Sequence, residues 1–195
     1  IAHEVGHHVQ YLLGTLQKVS QPAIEEPPLP YDAEVEYLES TGTQYIDLGD
    51  MPQYGDVFKF DFQILNFNTT RYFFGARGAA ISGRLFLSSS STIMYCNNAI
   101  SNFAPDLLRH TLRIEVLSTS SNASLVIDGV AYRSGAVTTI DNTTHIFTGS
   151  ATTNKMIGRF FNFQQQRGSV MVHDLIPVRV GTVGYMYDRV SGQLF

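Results

Sequence analysis

The chain has 195 residues, 44% hydrophobic and 15% charged, with a formal net charge of −4 and a pI near 5.8. That apolar fraction suffices for a buried core and excludes a disordered chain, while the scatter of its 13 Lys and Arg residues excludes a basic nucleic-acid surface. One cysteine, Cys96, excludes an internal disulfide and a multi-cysteine zinc site, and no apolar run approaches the roughly 18 residues of a membrane span.

The first residue is Ile1, so the sequence reads as a fragment or a processed piece, and the absence of a signal peptide leaves location open. A cell-surface, secreted or virion-associated setting is the expectation. Residues 1–19, IAHEVGHHVQYLLGTLQKV, predict a helix, because Val5, Val9, Leu12, Leu13 and Leu16 form one apolar stripe. Ser20 to Pro22 stop it. Residues 20–31 hold four of the seven prolines and predict a semi-rigid linker. The expected organisation is therefore a helix over 1–19, a linker over 20–31 and a β domain over 32–195.

From Glu34 on, strand signals alternate with turn residues. Val35–Leu38 leads into Thr43–Leu48. Val57–Leu65 is the cleanest strand, with Phe58, Phe60, Phe62 and Ile64 on one face and Lys59, Asp61 and Gln63 on the other. Tyr72–Phe74, Leu85–Leu87 and Thr92–Tyr95 follow, the last two separated by a predicted turn at Ser88–Ser91. Leu112, Ile114 and Val116 alternate with Arg113 and Glu115, and Leu125–Ile127 resumes the pattern. Asp128-Gly129 then suits a tight hairpin turn, since both residues tolerate positive φ. His145–Thr148, Met156–Phe163, Ser169–Leu175 and Val183–Tyr187 complete the set. About a dozen short strands with no helix after residue 31 predict an all-β fold, an antiparallel two-sheet jelly-roll sandwich with one N-terminal helix. Thirteen Phe and ten Tyr without a Trp predict a thick aromatic core.

His3-Glu4-Val5-Gly6-His7 matches H-E-x-x-H. Histidines four apart share one helix face and can hold one zinc, and the glutamate between them can deprotonate a zinc-bound water. Through His8, Val9 and Gln10, IAHEVGHHVQYLLG resembles the active-site helix of the neutral zinc metallopeptidases of bacteria. The resemblance covers residues 1–19. It implies zinc as cofactor, His3 and His7 as its ligands and Glu4 as the general base. A catalytic zinc needs a third protein ligand, and the nearest carboxylates are poorly placed. Glu25 and Glu26 abut Pro27-Pro28, while Glu34, Glu36 and Glu39 fall in strand-like sequence. The apolar stripe also centres opposite the histidine pair. The expectation is a chain without peptidase activity.

A second resemblance rests on YDAEVEYLESTGTQYIDLG (Tyr31–Gly49) and HDLIPVRVGTVGYMYDRVSGQLF (His173–Phe195). Both resemble the laminin-G-like, concanavalin A-like lectin/glucanase domains of gut bacterial surface proteins and phage structural proteins. The resemblance implies first and last strands brought together, with Tyr45 and Tyr185 facing inward. It also implies a non-catalytic binding or adhesion module, its partner a glycan or a cell-surface protein. Two other readings stand beside it: a piece of a neutral zinc metallopeptidase with an accessory lectin-like domain, and a purely structural assembly domain. A glucanase would need paired carboxylates on one strand face. Alternation puts Glu34 and Glu36 together, but at the entry to the domain, where an edge strand carries charge against aggregation.

Sugar sites stack aromatic rings, and Tyr54, Tyr72, Tyr95 and Tyr132 are the candidates weighed, a buried role being expected for each. Calcium would need clustered oxygens, for which Asp47 with Asp50, or Asp141 with Asn142, offer the nearest groupings. Sequons start at Asn68, Asn122 and Asn142. His110, His145 and His173 are dispersed and read as strand or loop residues, and Cys96 has no flanking base that would make it a nucleophile.

Overall fold

The computed structural model describes residues 28–66, 70–76, 85–89, 93–95, 98–99, 106–116, 122–132, 135–136, 140, 142–151 and 154–195. The predicted helix over 1–19 and most of the proline-rich stretch lie outside these residues. Among the described residues there is no helix. The strands are β1 (Ala33–Glu34), β2 (Leu38–Thr41), β3 (Ile46–Asp47), β4 (Asp56–Ile64), β5 (Arg71–Ala76), β6 (Leu85–Ser89), β7 (Ile93–Tyr95) and β8 (Asn98–Ala99). They continue as β9 (Arg109–Val116), β10 (Asn122–Ile127), β11 (Val130–Ala131), β12 (Gly135–Ala136), β13 (His145–Ile146), β14 (Ile157–Arg167), β15 (Val170–Val180) and β16 (Val183–Asp188).

They form two antiparallel sheets. The larger runs β1-β15-β14-β4-β9-β10-β11, with β12 on β10, β16 on β15 and β2 on β14; the smaller runs β3-β13-β5-β6-β7-β8. Alternation explains how they meet. Phe58, Phe60, Phe62 and Ile64 of β4 are buried, as are Leu112, Ile114 and Val116 of β9 and Phe73 and Phe74 of β5. Rings cross between the sheets, Phe58 and Phe60 lying 5.1 and 5.0 Å from Phe74, and Phe62 lying 4.9 Å from Phe73. Burying each such side chain stabilises the fold by about 1.5–3 kcal/mol. The predicted hairpin turn forms, with Asp128 at φ 50° and Gly129 at φ 79°, both in the left-handed region that this turn demands.

Three expectations need correction. The strands expected over Val35–Leu38 and Thr43–Leu48 fall instead at Leu38–Thr41 and Ile46–Asp47, and between them Gly42 at φ +101° leaves the extended region. There Gln44 Oε1 accepts bonds from Thr41 N (3.0 Å) and Thr41 Oγ1 (3.1 Å), closing a turn between β2 and β3. Ser88 and Ser89 belong to β6 rather than a turn, being paired with Met94 and Ile93 of β7; the ladder overrides the weak preference of serine for strands. Tyr45 does not face inward: it is 42% exposed, and Tyr185 is half-buried.

The ends of the β region do come together. β14 and β15 pair over Phe163–Arg167, and β1 and β2 then take the same flanks of β15 and β14 where these two diverge. Asp32 N–H donates to Arg179 O at 2.8 Å and Val35 N–H to Pro177 O at 3.0 Å. At the opposite end of β14, Arg167 holds the fully buried Asp56 through Nε (2.8 Å) and Nη2 (2.9 Å), and Asp50 through Nη2 (3.0 Å). Gln165 Nε2 donates to both carboxylates at 2.9 Å.

β14 also carries a bulge. Between Phe160, opposite Phe62, and Asn162, opposite Asp61, it has one residue more than β4. The Asn162 side-chain oxygen accepts the Asp61 N–H at 2.9 Å, making good a ladder bond that the bulge removes. Phe160 and Phe163 consequently both point into the core.

Candidate functional site

The turn between β2 and β3 and the turn between β15 and β16 stand on either side of an open groove of about 440 Å³. Thr182, Val183, Gly184 and Tyr185 line one part of it, Leu38 and Glu39 another, and Gln44, Tyr45 and Ile46 a third; Phe147 and Phe195 complete the lining. Local sequence shapes its walls. A Cβ on Gly184 would lie 2.6 Å from Leu38 Cδ1, so the bare backbone is what lets Leu38 come so close to β16. Phe147 adopts φ 66°, unusual for a bulky residue. Its N–H donates to Phe73 O (2.9 Å), its carbonyl accepts Met156 N–H (2.7 Å), and its buried ring meets Phe160 edge-on at 5.0 Å. These contacts hold a conformation that costs on the order of 1–3 kcal/mol. Phe195 is fixed by reciprocal backbone bonds with Met186 of 2.9 and 3.0 Å.

The groove is apolar and aromatic with a few polar groups, the composition of small-ligand sites. Among the described residues, Tyr45 Oη, Tyr185 Oη, Thr182 Oγ1 and Gln44 Nε2 have no hydrogen-bond partner within the chain. Glu39 Oε2 accepts from Arg159 Nε at 2.7 Å. Around the Tyr45 ring lie Lys155 Nζ, 5.1 Å from its centroid, and the His145 ring at 5.9 Å. A neighbouring groove of about 430 Å³, which includes Tyr37 and Arg179, shares Leu38, Thr182 and Gly184.

A second aromatic and polar cluster occupies the outer face of the larger sheet. Register sets Arg109, Gln63, Arg159 and Glu39 in one row across β9, β4, β14 and β2. The Arg109 guanidinium lies 4.0 Å over the Phe161 ring and that of Arg159 lies 4.1 Å over Tyr37, while the two rings meet edge-on at 5.8 Å. Arg109 pairs with Asp61 at 2.6 Å and Arg159 with Glu39 at 2.7 Å. The bond to Glu39 raises the Arg159 pKa further above its ordinary value. Two cations and two carboxylates satisfy one another here.

The remaining sequence candidates fall elsewhere. His3, Glu4 and His7 lie outside the described residues, as do Cys96, Asn68 and Asp141. Tyr54 is 52% exposed, against the buried role expected, because it stands in the turn before β4. Tyr72, in β5, and Tyr132, just past β11, are half-buried rather than buried, and the Tyr95 side chain lies outside the described residues. Glu34 and Glu36 do not share a strand, since β1 ends at Glu34; both are exposed. Asp47 Oδ1 accepts Gly49 N–H at 2.9 Å, while Asp50 is committed to Arg167 and Gln165. Among the described residues no three His, Cys, Asp or Glu side chains are grouped to hold a metal ion.

Among the described residues, His110, His145 and His173 stand in β9, β13 and β15, and each is buried. His145 Nδ1 faces Thr143 O at 2.8 Å. His110 sits between Asp128 (Nδ1, 2.6 Å) and Asp106 (Nε2, 2.8 Å). Burial works against its charged form, but the bonds to Asp128 and Asp106 outweigh it and raise its pKa. Asp106 is held below its ordinary value, first by the Leu108 N–H. His173 Nδ1 and Ser191 Oγ both approach Asp188 Oδ2, at 2.9 and 2.8 Å. The three residue types match a hydrolytic triad, but the carboxylate stands in the middle. With its hydroxyl on the aspartate, Ser191 is not activated by the histidine. The groove is not legible in the sequence because its two tyrosines come from opposite ends of the β region.

No family model matches the chain, and no curated protein matches it in sequence. Among solved structures it is similar to the Ruminococcus gnavus IT-sialidase CBM40 bound to α2,3 sialyllactose. The likeness has a TM-score of 0.50 at 10% identity over 69% of this chain and 91% of that one. A further structure of the Ruminococcus gnavus IT-sialidase CBM40 gives the same TM-score, identity and coverage. At that identity the shared property is the fold, a sandwich of two antiparallel sheets.

Proposed function

We propose that this chain is a non-catalytic carbohydrate-binding module that takes a glycan in the Tyr45–Tyr185 groove. The observation that carries the reading is an aromatic-lined groove in which, among the described residues, two phenols, an amide and a hydroxyl have no hydrogen-bond partner. A sugar ring has an apolar C–H face that packs on an aromatic ring, and hydroxyls that both donate and accept. Tyrosine supplies both contacts from one side chain, and Gln44 and Thr182 add a donor-acceptor pair at the rim. The fold likeness to a CBM40 structure with sialyllactose bound supports a glycan as the ligand class. Glycoside hydrolysis calls for two carboxyl groups roughly 5–10 Å apart across the scissile bond. Among the described residues Glu39 is the one carboxylate side chain lining the groove, and it is tied to Arg159.

Calorimetric titration of the folded chain with an oligosaccharide panel tests this. Binding to at least one glycan is expected, weakened about tenfold by Tyr45→Ala or by Tyr185→Ala, as for loss of a stacking ring worth about 1.4 kcal/mol. A glycan whose affinity ignores both substitutions, or a wild type that binds none, would reject the groove as the site.

A further inference from the structure

We infer that the groove selects uncharged sugars and discriminates against sialylated or uronic ones, an inference that rests on reading the groove as the glycan site. The argument is one of charge. Among the described residues no Arg or Lys lines the groove, and the one ionisable acidic side chain there is Glu39. A sugar carboxylate entering it would leave water without a charge-assisted donor to replace the hydration lost, and the one acidic side chain lining the groove, Glu39, is an acceptor that offers it no donor.

The nearest cations are engaged elsewhere. Arg159 has Nε on Glu39 at 2.7 Å, Nη1 3.4 Å from Gln63 Oε1 and its guanidinium stacked on Tyr37. Lys155 Nζ donates to Ala151 O at 3.0 Å, with the Tyr45 ring 5.1 Å away. Arg179, in the neighbouring groove, donates from Nη1 to Gly181 O at 2.5 Å. Each of these is held by a contact within the chain, and none of them is among the residues that line the groove. Among the described residues, the lining groups without a hydrogen-bond partner include Tyr45 Oη, Tyr185 Oη, Thr182 Oγ1 and Gln44 Nε2, which are neutral and match neutral hydroxyls. The same fold therefore admits ligands of different charge, because the side chains at the site set the charge class.

Matched pairs of ligands test the inference: lactose against 3′-sialyllactose, and cellotriose and xylotriose against trigalacturonic acid, each titrated into wild type, Tyr45→Ala, Tyr185→Ala and Glu39→Gln. Circular dichroism establishes that each variant is folded. At least one neutral glycan is expected to bind, with affinity unchanged between about 20 and about 500 mM salt, since no ion pair is made. The acidic glycans should bind at least tenfold more weakly than the best neutral one, and Glu39→Gln should narrow that gap. Tighter binding of an acidic glycan, lost in Tyr45→Ala, would overturn the charge selection while leaving the groove as the site. Acidic binding that survives both tyrosine substitutions but is lost in Arg109→Ala would place recognition on the outer sheet face and overturn both readings. So would a folded wild type that binds no sugar.

Discussion

Tyr37 and Tyr45 flank the same short strand, β2, and end in opposite circumstances. Tyr37 has the Arg159 guanidinium 4.1 Å over its ring and the Phe161 ring edge-on at 5.8 Å, and the arginines above those rings are paired with Asp61 and Glu39. Tyr45 turns into the groove, 42% exposed, its hydroxyl without a partner among the described residues. An aromatic ring set among polar groups is thus by itself a poor guide to binding. What separates the two regions is whether the polar groups around the ring are satisfied inside the chain. The outer-face cluster is closed, like the Asp50–Asp56–Arg167 and Asp106–His110–Asp128 clusters; the groove is open.

If closure means structural work, the largest effect should come from Arg167→Ala, which leaves the fully buried Asp56 without its cation. Breaking a buried pair by removing one partner costs about 3–5 kcal/mol, read as a fall in the urea midpoint. A loss below about 1 kcal/mol would contradict the burial argument. Next comes Phe161→Ala on the outer face, expected to cost about 1–2 kcal/mol in lost apolar contact while leaving glycan affinity unchanged. A fall in affinity with little loss of stability would reverse the assignment of the two regions. Tyr45→Ala should show the mirror image, a tenfold affinity loss with a stability change within about 0.5 kcal/mol.

The smallest effect is expected from pH. His110 has a raised pKa in the folded chain, so its contribution is fully present below its unfolded value, near 6.5. It is lost as pH rises through the folded value. Asp188 behaves oppositely: burial favours its neutral form, but bonds from Asp174 N–H, His173, Val190 N–H and Ser191 outweigh that and lower its pKa. Its contribution is present above the unfolded value, near 3.9, and disappears as pH falls through the folded one. Urea midpoints measured across this range should fall on both flanks, and His110→Gln should flatten the alkaline one. An unchanged alkaline flank in His110→Gln would mean that the two carboxylates do not hold the histidine charged.

Much of the fold was legible because alternation is a local signal. Phe58, Phe60, Phe62 and Ile64, like Leu112, Ile114 and Val116, reveal their buried face within one strand, and Asp128-Gly129 names its own turn. Residues whose surroundings come from distant strands were not legible. Gly42 gives no hint of how far it breaks the β2 region. The groove was invisible for the same reason: Tyr45 and Tyr185 meet only after β1 and β2 fill the space between β14 and β15. Residue type alone also failed to show that Arg109 and Arg159 are each paired with a carboxylate and stacked on a ring.

The extra residue in β14 has a consequence for how this sequence can vary in length. Excising one residue from a half-buried strand ordinarily inverts everything beyond it. Here, excising Asn162 would leave Phe160 and Phe163 two positions apart, still on the same side, with Phe161 between them under Arg109, and the pairing on either flank intact. The Asp61 amide would recover an ordinary main-chain acceptor in place of the Asn162 oxygen. This point in the middle of the larger sheet has slack for an indel, where neighbouring positions have none.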